Sequence, residues 1–293
     1  MLVTVRAPAS TSNLGPGFDC LGLALSLTST FTFELNDTLV IDGCPEEFRN
    51  EDNLVIQGFR EVYMEAGETP PNVHLTIEAE VPVARGLGSS STCFAAGVAA
   101  ANAYLGNRFT REQLFQICAR FEGHPDNAAP CMLGGLSASF ATEDDFHSVP
   151  LALDPEWRFA TVIPDYEVKT HEARAAMPKE ISVKDSVFTT SHAIAMIHAL
   201  REGDEKLLAL ACRDRLHEPC RKKLIRDYDA LRALALASGC AAFFISGSGS
   251  TLIAMTRSQE VAERFTREAV AKFPTFGAHI LRAVEGGTQV TIS

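Results

Sequence analysis

One stretch of the chain concentrates groups that could handle phosphate. Pro82-Val83-Ala84-Arg85-Gly86-Leu87-Gly88-Ser89-Ser90-Ser91-Thr92 lies between a run of alternating apolar residues and a run of small ones. Its two glycines let the backbone approach a ligand closely. A helix beginning there offers unpaired N–H groups at the positive end of its dipole. Three consecutive serine hydroxyls add further donors, or oxygen ligands for a metal ion. A flexible capped loop is the competing reading of the stretch alone. It is not a Walker A loop, which needs a lysine, and Ser91 stands where a dinucleotide fingerprint requires its third glycine.

The distribution of charge narrows the chemistry. The 293 residues carry 26 Lys+Arg against 37 Asp+Glu, a formal net charge of −11. That balance argues against nucleic acid or an anionic membrane as partner, since phosphate backbones are held by clustered positive charge. The first lysine is Lys169, so arginines are the only fixed side-chain cations of the preceding half. Eight cysteines are scattered without a C-x-x-C pair, which gives neither a zinc site nor a disulfide framework. Reduced thiols in a cytoplasmic protein are the expectation. The N-terminus has no apolar core of a secretory signal. Two uncharged stretches, residues 86–107 and 233–256, are too rich in Gly, Ser, Thr and Asn to read as membrane spans.

The elements that must position these groups follow from periodicity. Val3 and Val5 alternate with polar neighbours, as do Phe31, Phe33 and Leu35, and Val73, Leu75, Ile77, Ala79 and Val81, all strand patterns. Asp52 precedes an amphipathic helix with Val55, Phe59, Val62 and Ala66 on one face. Small residues 93–104 suit a tightly packed helix, and Thr110 with Gln113 forms a capping-box signature for another bearing Leu114, Ile117 and Phe121. In the second half a strand is expected at 159–163. Helices are expected near 186–202, 204–214 and 219–237. Strand 240–245, a glycine loop, strand 252–255, helix 258–273 and strand 278–284 complete it. Without the additional helices the order is β-α-β-β-α-β, a ferredoxin-like plan. The fold class is therefore α+β. A strand-rich domain carrying the phosphate-type loop is expected over residues 1–150 and a ferredoxin-like domain over 151–293, joined through the acidic, proline-bearing stretch 144–156.

Several segments, in order, resemble the motifs of the GHMP kinases. Ala7-Pro-Ala-Ser-Thr-Ser-Asn13-Leu-Gly-Pro-Gly-Phe-Asp19 is similar to their first motif, and its Asn-Leu-Gly-Pro-Gly-Phe-Asp core resembles the homoserine kinase branch. Residues 82–92 resemble the second motif, and Ser246-Gly-Ser-Gly-Ser-Thr251 the third. Glu122-Gly-His124-Pro-Asp-Asn127 and Asp214-Arg-Leu-His-Glu-Pro-Cys-Arg221 also look like signatures of that branch. Two departures stand out. Ser91-Thr92 replace alanines, which is expected to alter only helix packing, and Ser250 replaces a proline, which is expected to loosen its loop.

The resemblance implies the fold just outlined, ATP and Mg²⁺ as cofactors, and phosphorylation of the side-chain hydroxyl of L-homoserine for threonine biosynthesis. It also implies a homodimer. Residues 82–92 would hold ATP, with Asn53 either at the adenine or serving as a helix N-cap. Glu122 would ligate Mg²⁺ with Ser89 or Ser90, because hard cations take oxygen ligands. Asn13 would meet the reacting hydroxyl, and Asp19 the ammonium group. Arg174 and Arg221 would hold the carboxylate through their planar forks. His124 and Asn127 would lie beside the substrate, and Thr170 near the γ-phosphate. No side chain is singled out as a general base, and a lysine acting on the hydroxyl is excluded before Lys169. Alternatives are a kinase for another small hydroxylated acid, such as threonine or shikimate, and a catalytically silent sensor of the same fold.

Overall fold

The computed structural model describes residues 1–143 and 145–293, so Asp144, the first residue of the expected junction, lies outside the described residues. In chain order the strands are β1 (Leu2–Asn13), β2 (Gly17–Leu35), β3 (Val40–Asp42), β4 (Val73–Glu78), β5 (Leu136–Ala141), β6 (Phe146–Leu151), β7 (Arg158–Ile163), β8 (Ala242–Ile245), β9 (Leu252–Thr256), β10 (Gly277–Leu281) and β11 (Gln289–Ile292). The helices are α1 (Leu54–Glu65), α2 (Ser89–Tyr104), α3 (Arg111–Glu122), α4 (Pro125–Leu133), α5 (Thr170–Ala175), α6 (Val183–Glu202), α7 (Glu205–Ala211), α8 (Glu218–Arg221), α9 (Tyr228–Ala237) and α10 (Gln259–Lys272).

The alternating residues do what period-two patterning demands. Val3, Val5, Phe31, Phe33, Val73, Leu75 and Ile77 all enter one core beneath α1 and α2. Leu35, at the end of its strand, is exposed. This first sheet runs β11-β1-β2-β4-β3, with β5 and β6 added beside β2. Helix α2 is Ala-rich because it is buried nearly all round. A Cβ at Gly97 would stand 1.9 Å from the Val55 carbonyl oxygen, so α1 and α2 cross backbone to backbone there.

The second sheet has the order β10-β7-β9-β8, all antiparallel, which is the ferredoxin-like arrangement expected. Three expectations need correction. Residues 219–237 are not one helix: α8 passes into a short 3₁₀ turn (Lys222–Leu224), Ile225 is extended, and α9 begins at Tyr228. Six residues of the stretch taken as a junction form β6, paired with β5, so the connection between sheets shrinks to residues 152–157. A cut at 150 and 151 also separates β11 from its sheet, because that last strand pairs antiparallel with β1. No helix of the described residues is long and apolar enough to cross a membrane.

Candidate active site

The phosphate-type loop is held open by its neighbours. Gly88 is the N-cap of α2 with φ +69°, and no side chain caps the helix, so the N–H groups of Ser89, Ser90 and Ser91 face a cavity of about 480 Å³. A Cβ on Gly88 would meet Ser10 Oγ at 2.0 Å, so a side chain is excluded by space as well as by φ. The third motif braces the loop from behind. Ser246 Oγ donates to Gly86 O at 2.6 Å, and Thr251 N donates to Arg85 O at 3.0 Å. The first motif closes the bundle, with Gly247 N donating to Ser12 O and Ser10 N to Leu87 O. Arg85 reaches across to Pro164 O and pairs with Glu167 at 3.3 Å.

Ser250 does not loosen its loop. It is fully buried, and its hydroxyl donates to Tyr166 O at 2.5 Å, a bond that a proline could not make. Ser91 also does more than adjust packing: it lines the cavity beside Glu122, where its hydroxyl opposes the rise of the carboxyl pKa, while the Thr92 hydroxyl turns inward to Gly88 O. Pro82, Leu87 and Thr92 do not line the cavity. Leu87 and Thr92 are buried behind it and support the loop rather than face a ligand.

Glu122 ends α3 at the cavity wall with a nearly buried side chain, and its Oε1 has no hydrogen-bond partner among the described residues. Burial pushes its pKa up to about 7, opposed by the Ser91 hydroxyl and the nearby His124. His124 Nδ1 is 2.7 Å from Asp126 Oδ1 and 3.9 Å from Glu122 Oε2. Burial pulls the imidazole pKa down, but the Asp126 bond and the two carboxylates outweigh it and leave it raised. Asn127 lines the cavity with its amide tied to β1, accepting from Ser10 Oγ at 2.9 Å and donating to Ser12 Oγ at 3.0 Å.

At the other end of the cavity, Asn13 and Asp19 flank the tight turn that joins β1 to β2, both at positive φ. Asn13 donates to Gly247 O at 2.9 Å and accepts from Asp19 N at 3.0 Å, leaving it one amide hydrogen. Helix α5 supplies Thr170 and Arg174. Arg174 grips Asp19 with both nitrogens, at 2.9 and 3.1 Å. Arg221, at the end of α8, is 3% exposed and has no carboxylate partner among the described residues. It donates to Gly247 O at 2.9 Å and Ala173 O at 3.4 Å, and lies 4.9 Å from the Phe18 ring centroid. Burial lowers its pKa from the usual arginine value, with Asp19 opposing. Gly247 O thus accepts from both Asn13 and Arg221, tying the third motif to the first. Asn53 belongs elsewhere: it caps α1, accepting from Val55 N and donating to Phe48 O, and is not part of the cavity wall.

The family models for the GHMP kinase N-terminal domain and the GHMP kinase C-terminal region match residues 53–135 and 196–275. A homoserine kinase of Clostridium beijerinckii is 39% identical over 269 residues, covering 91% of this chain and 90% of its own. One from Clostridium botulinum is 35% identical over 260 residues, 88% of each. The chain belongs to the homoserine kinase family of GHMP kinases. The crystal structure of a homoserine kinase from Cytophaga hutchinsonii superimposes with a TM-score of 0.88 at 27% identity, covering 99% of this chain and 97% of that one.

Within this member of the homoserine kinase family, the site contains residues that sequence patterning did not single out. Leu54 and Phe121 line the cavity and supply it with apolar surface. Phe121 is 44% exposed and stacks on Phe94 at 3.8 Å, although its helical spacing placed it on the core face. Phe18 lies beneath two arginines of the cavity wall, 6.0 Å from Arg174 and 4.9 Å from Arg221. Phe18, inside a glycine and proline turn, carried no periodic signal; its motif membership alone marked the position. The eight cysteines stand as free thiols, three of them buried, and among the described residues no cluster of three or more His, Cys, Asp or Glu could hold a metal.

Proposed function

We propose that the chain transfers the γ-phosphoryl group of ATP to the side-chain hydroxyl of L-homoserine, forming O-phospho-L-homoserine in threonine biosynthesis. The observation that carries this reading is Arg221. A buried guanidinium without a carboxylate of its own faces the same cavity as the uncapped start of α2. Removing a cation from water without an anionic partner is costly. A substrate carboxylate completes the pair, in the bidentate form that favours arginine. Asp19 and the remaining amide hydrogen of Asn13 would meet the ammonium group and the reacting hydroxyl. In the free protein Arg174 and Asp19 satisfy each other, and each would exchange that partner for an end of the zwitterion.

Phosphoryl transfer requires positioning and neutralisation of charge more than covalent help. The N–H groups of Ser89, Ser90 and Ser91 would hold nucleotide phosphates, and Leu54 and Phe121 would border the base. The unpartnered Glu122 Oε1 and the adjacent serine hydroxyls form the all-oxygen donor set that suits Mg²⁺. Glu122 with Ser89 or Ser90 would hold that ion, which neutralises phosphate charge when bound. Asp19 is committed to a cation and Asp126 to His124, so the hydroxyl would attack without a dedicated base. The protein would work in the cytoplasm. Exposed Val183, Val187 and Ile194 along α6 are available for the dimer that the resemblance implies.

A coupled assay with ATP, Mg²⁺ and separate additions of homoserine, threonine, shikimate and mevalonate tests the reading. Turnover with homoserine well above the others is expected. Shikimate or threonine outperforming homoserine would replace it.

A further inference from the structure

The signature that supplies Arg221 contains a histidine that the proposed chemistry does not use. His217 is wholly buried immediately before α8, four residues from Arg221. Its Nε2 lies 2.7 Å from Gly15 O, in the turn between Asn13 and Asp19. A carbonyl only accepts, so the proton sits on Nε2, and the bare Nδ1 is buried without a partner among the described residues. The ring stacks on Phe18 at 5.3 Å, and Phe18 in turn lies under Arg221 and Arg174. Asp214 fixes the segment's own backbone, accepting from the N–H groups of Leu216, His217 and Glu218 at 3.0, 2.7 and 2.8 Å. One imidazole therefore joins the strap that presents the guanidinium to the turn that presents Asp19 and Asn13.

We propose that His217 is the positioning residue for the amino-acid end of the site. It fixes the span between Asp19 and Arg221, and so selects a substrate whose ammonium and carboxylate groups match that span. The inference rests on the functional reading above, because it needs both ends of a zwitterion to be read. A shorter or slipped strap would leave ATP contacts at the start of α2 largely intact, because the strap meets the third motif at Gly247, whereas Ser246 and Thr251 hold the loop.

The test is steady-state kinetics on the full chain with H217L and H217Q. Leucine fills the space without a donor, whereas the glutamine amide offers an N–H at a reach similar to Nε2. Displacements on the order of an ångström in a site cost up to about a hundredfold. H217L is expected to raise the homoserine KM by about tenfold or more while the ATP KM stays within about twofold, and H217Q to recover most of the loss. An unchanged homoserine KM in H217L, equal rises in both KM values, or a glutamine variant as impaired as the leucine one would overturn the proposal. If H217L does not fold, F18L serves: the same selective rise is expected, and an unchanged KM counts against the assignment. Wild type active only on another alcohol defeats the functional reading separately, and the same KM split for that alcohol then decides the role of His217.

Discussion

Arg221 and Arg174 line the same cavity, yet their surroundings make them different instruments. Arg174 is 39% exposed in its side chain and already paired with Asp19, so screening by solvent limits what that pair contributes. Arg221 is buried and, among the described residues, bonded to carbonyls and an aromatic face. Arg221→Lys keeps the charge but loses the fork, and is expected to raise the homoserine KM roughly ten- to hundredfold with ATP binding nearly intact. Titrating homoserine and ATP separately against the variant checks this, and an unchanged homoserine KM removes Arg221 from the site. Glu122→Gln is expected to lower kcat and raise the Mg²⁺ concentration needed for half-activation; a rate equal to wild type would dismiss the metal role. At this scale the motif residues were legible by type and spacing. What they were bonded to was not. Asn127 fits the signature, but only packing against β1 shows its amide spent on Ser10 and Ser12. Asn53 shows the reverse, since an asparagine before an amphipathic helix is first of all a cap.

Helix α2 can aim its N-terminus at the cavity because it is anchored along its length by close packing on α1. The Gly97 contact is the tightest point of that crossing. Gly97→Ala would favour the helix intrinsically, but it forces the backbones apart. It is expected to destabilise the protein by about 1–3 kcal/mol while leaving both KM values of the folded fraction unchanged. Thermal or urea unfolding alongside kinetics checks it, and a neutral or stabilising effect would show that the crossing has room. Elements with strong local signals were legible: the alternating strands, the Thr110–Gln113 box with both its bonds present, and the ferredoxin-like order. The misreadings share a cause. Strands β6 and β11 are short, lie at sheet edges and bury no side chain, so period-two burial leaves little signal there, and β11 pairs with β1 from the opposite end of the chain. Between α8 and α9 the chain passes through a 3₁₀ turn and the extended, buried Ile225, a change of direction that helical propensity does not mark.

Taken as one molecule, the protein carries buried carboxylates as well as an acidic surface. Glu218 lies behind the substrate end with Oε1 unpartnered, and burial, reinforced by Asp214, pushes its pKa up to about 7 from an ordinary 4.5. Between those values the folded state binds more protons than the unfolded one, so stability falls as pH rises through that window and is level above it. The full effect is roughly 3 kcal/mol at most. Without nucleotide or metal, the unfolding midpoint is expected to drop between pH 5 and pH 8, and Glu218→Gln to flatten part of that slope. A variant with the wild-type slope would show that Glu218 ionises freely. The net charge of −11 discourages polyanions as partners, yet it does not prevent phosphate binding. Backbone N–H groups, hydroxyls and a metal ion need no lysine, and the lysine-free first half left them as the means at hand.

The central claim is that the phosphoryl group passes to an alcohol of an amino acid gripped at both ends. The most direct measurement is ³¹P NMR of the product formed from ATP, Mg²⁺ and L-homoserine. A phosphate monoester resonance split by the two protons of the adjacent CH₂ is the result expected. No such resonance, or an acyl phosphate in its place, would contradict the account.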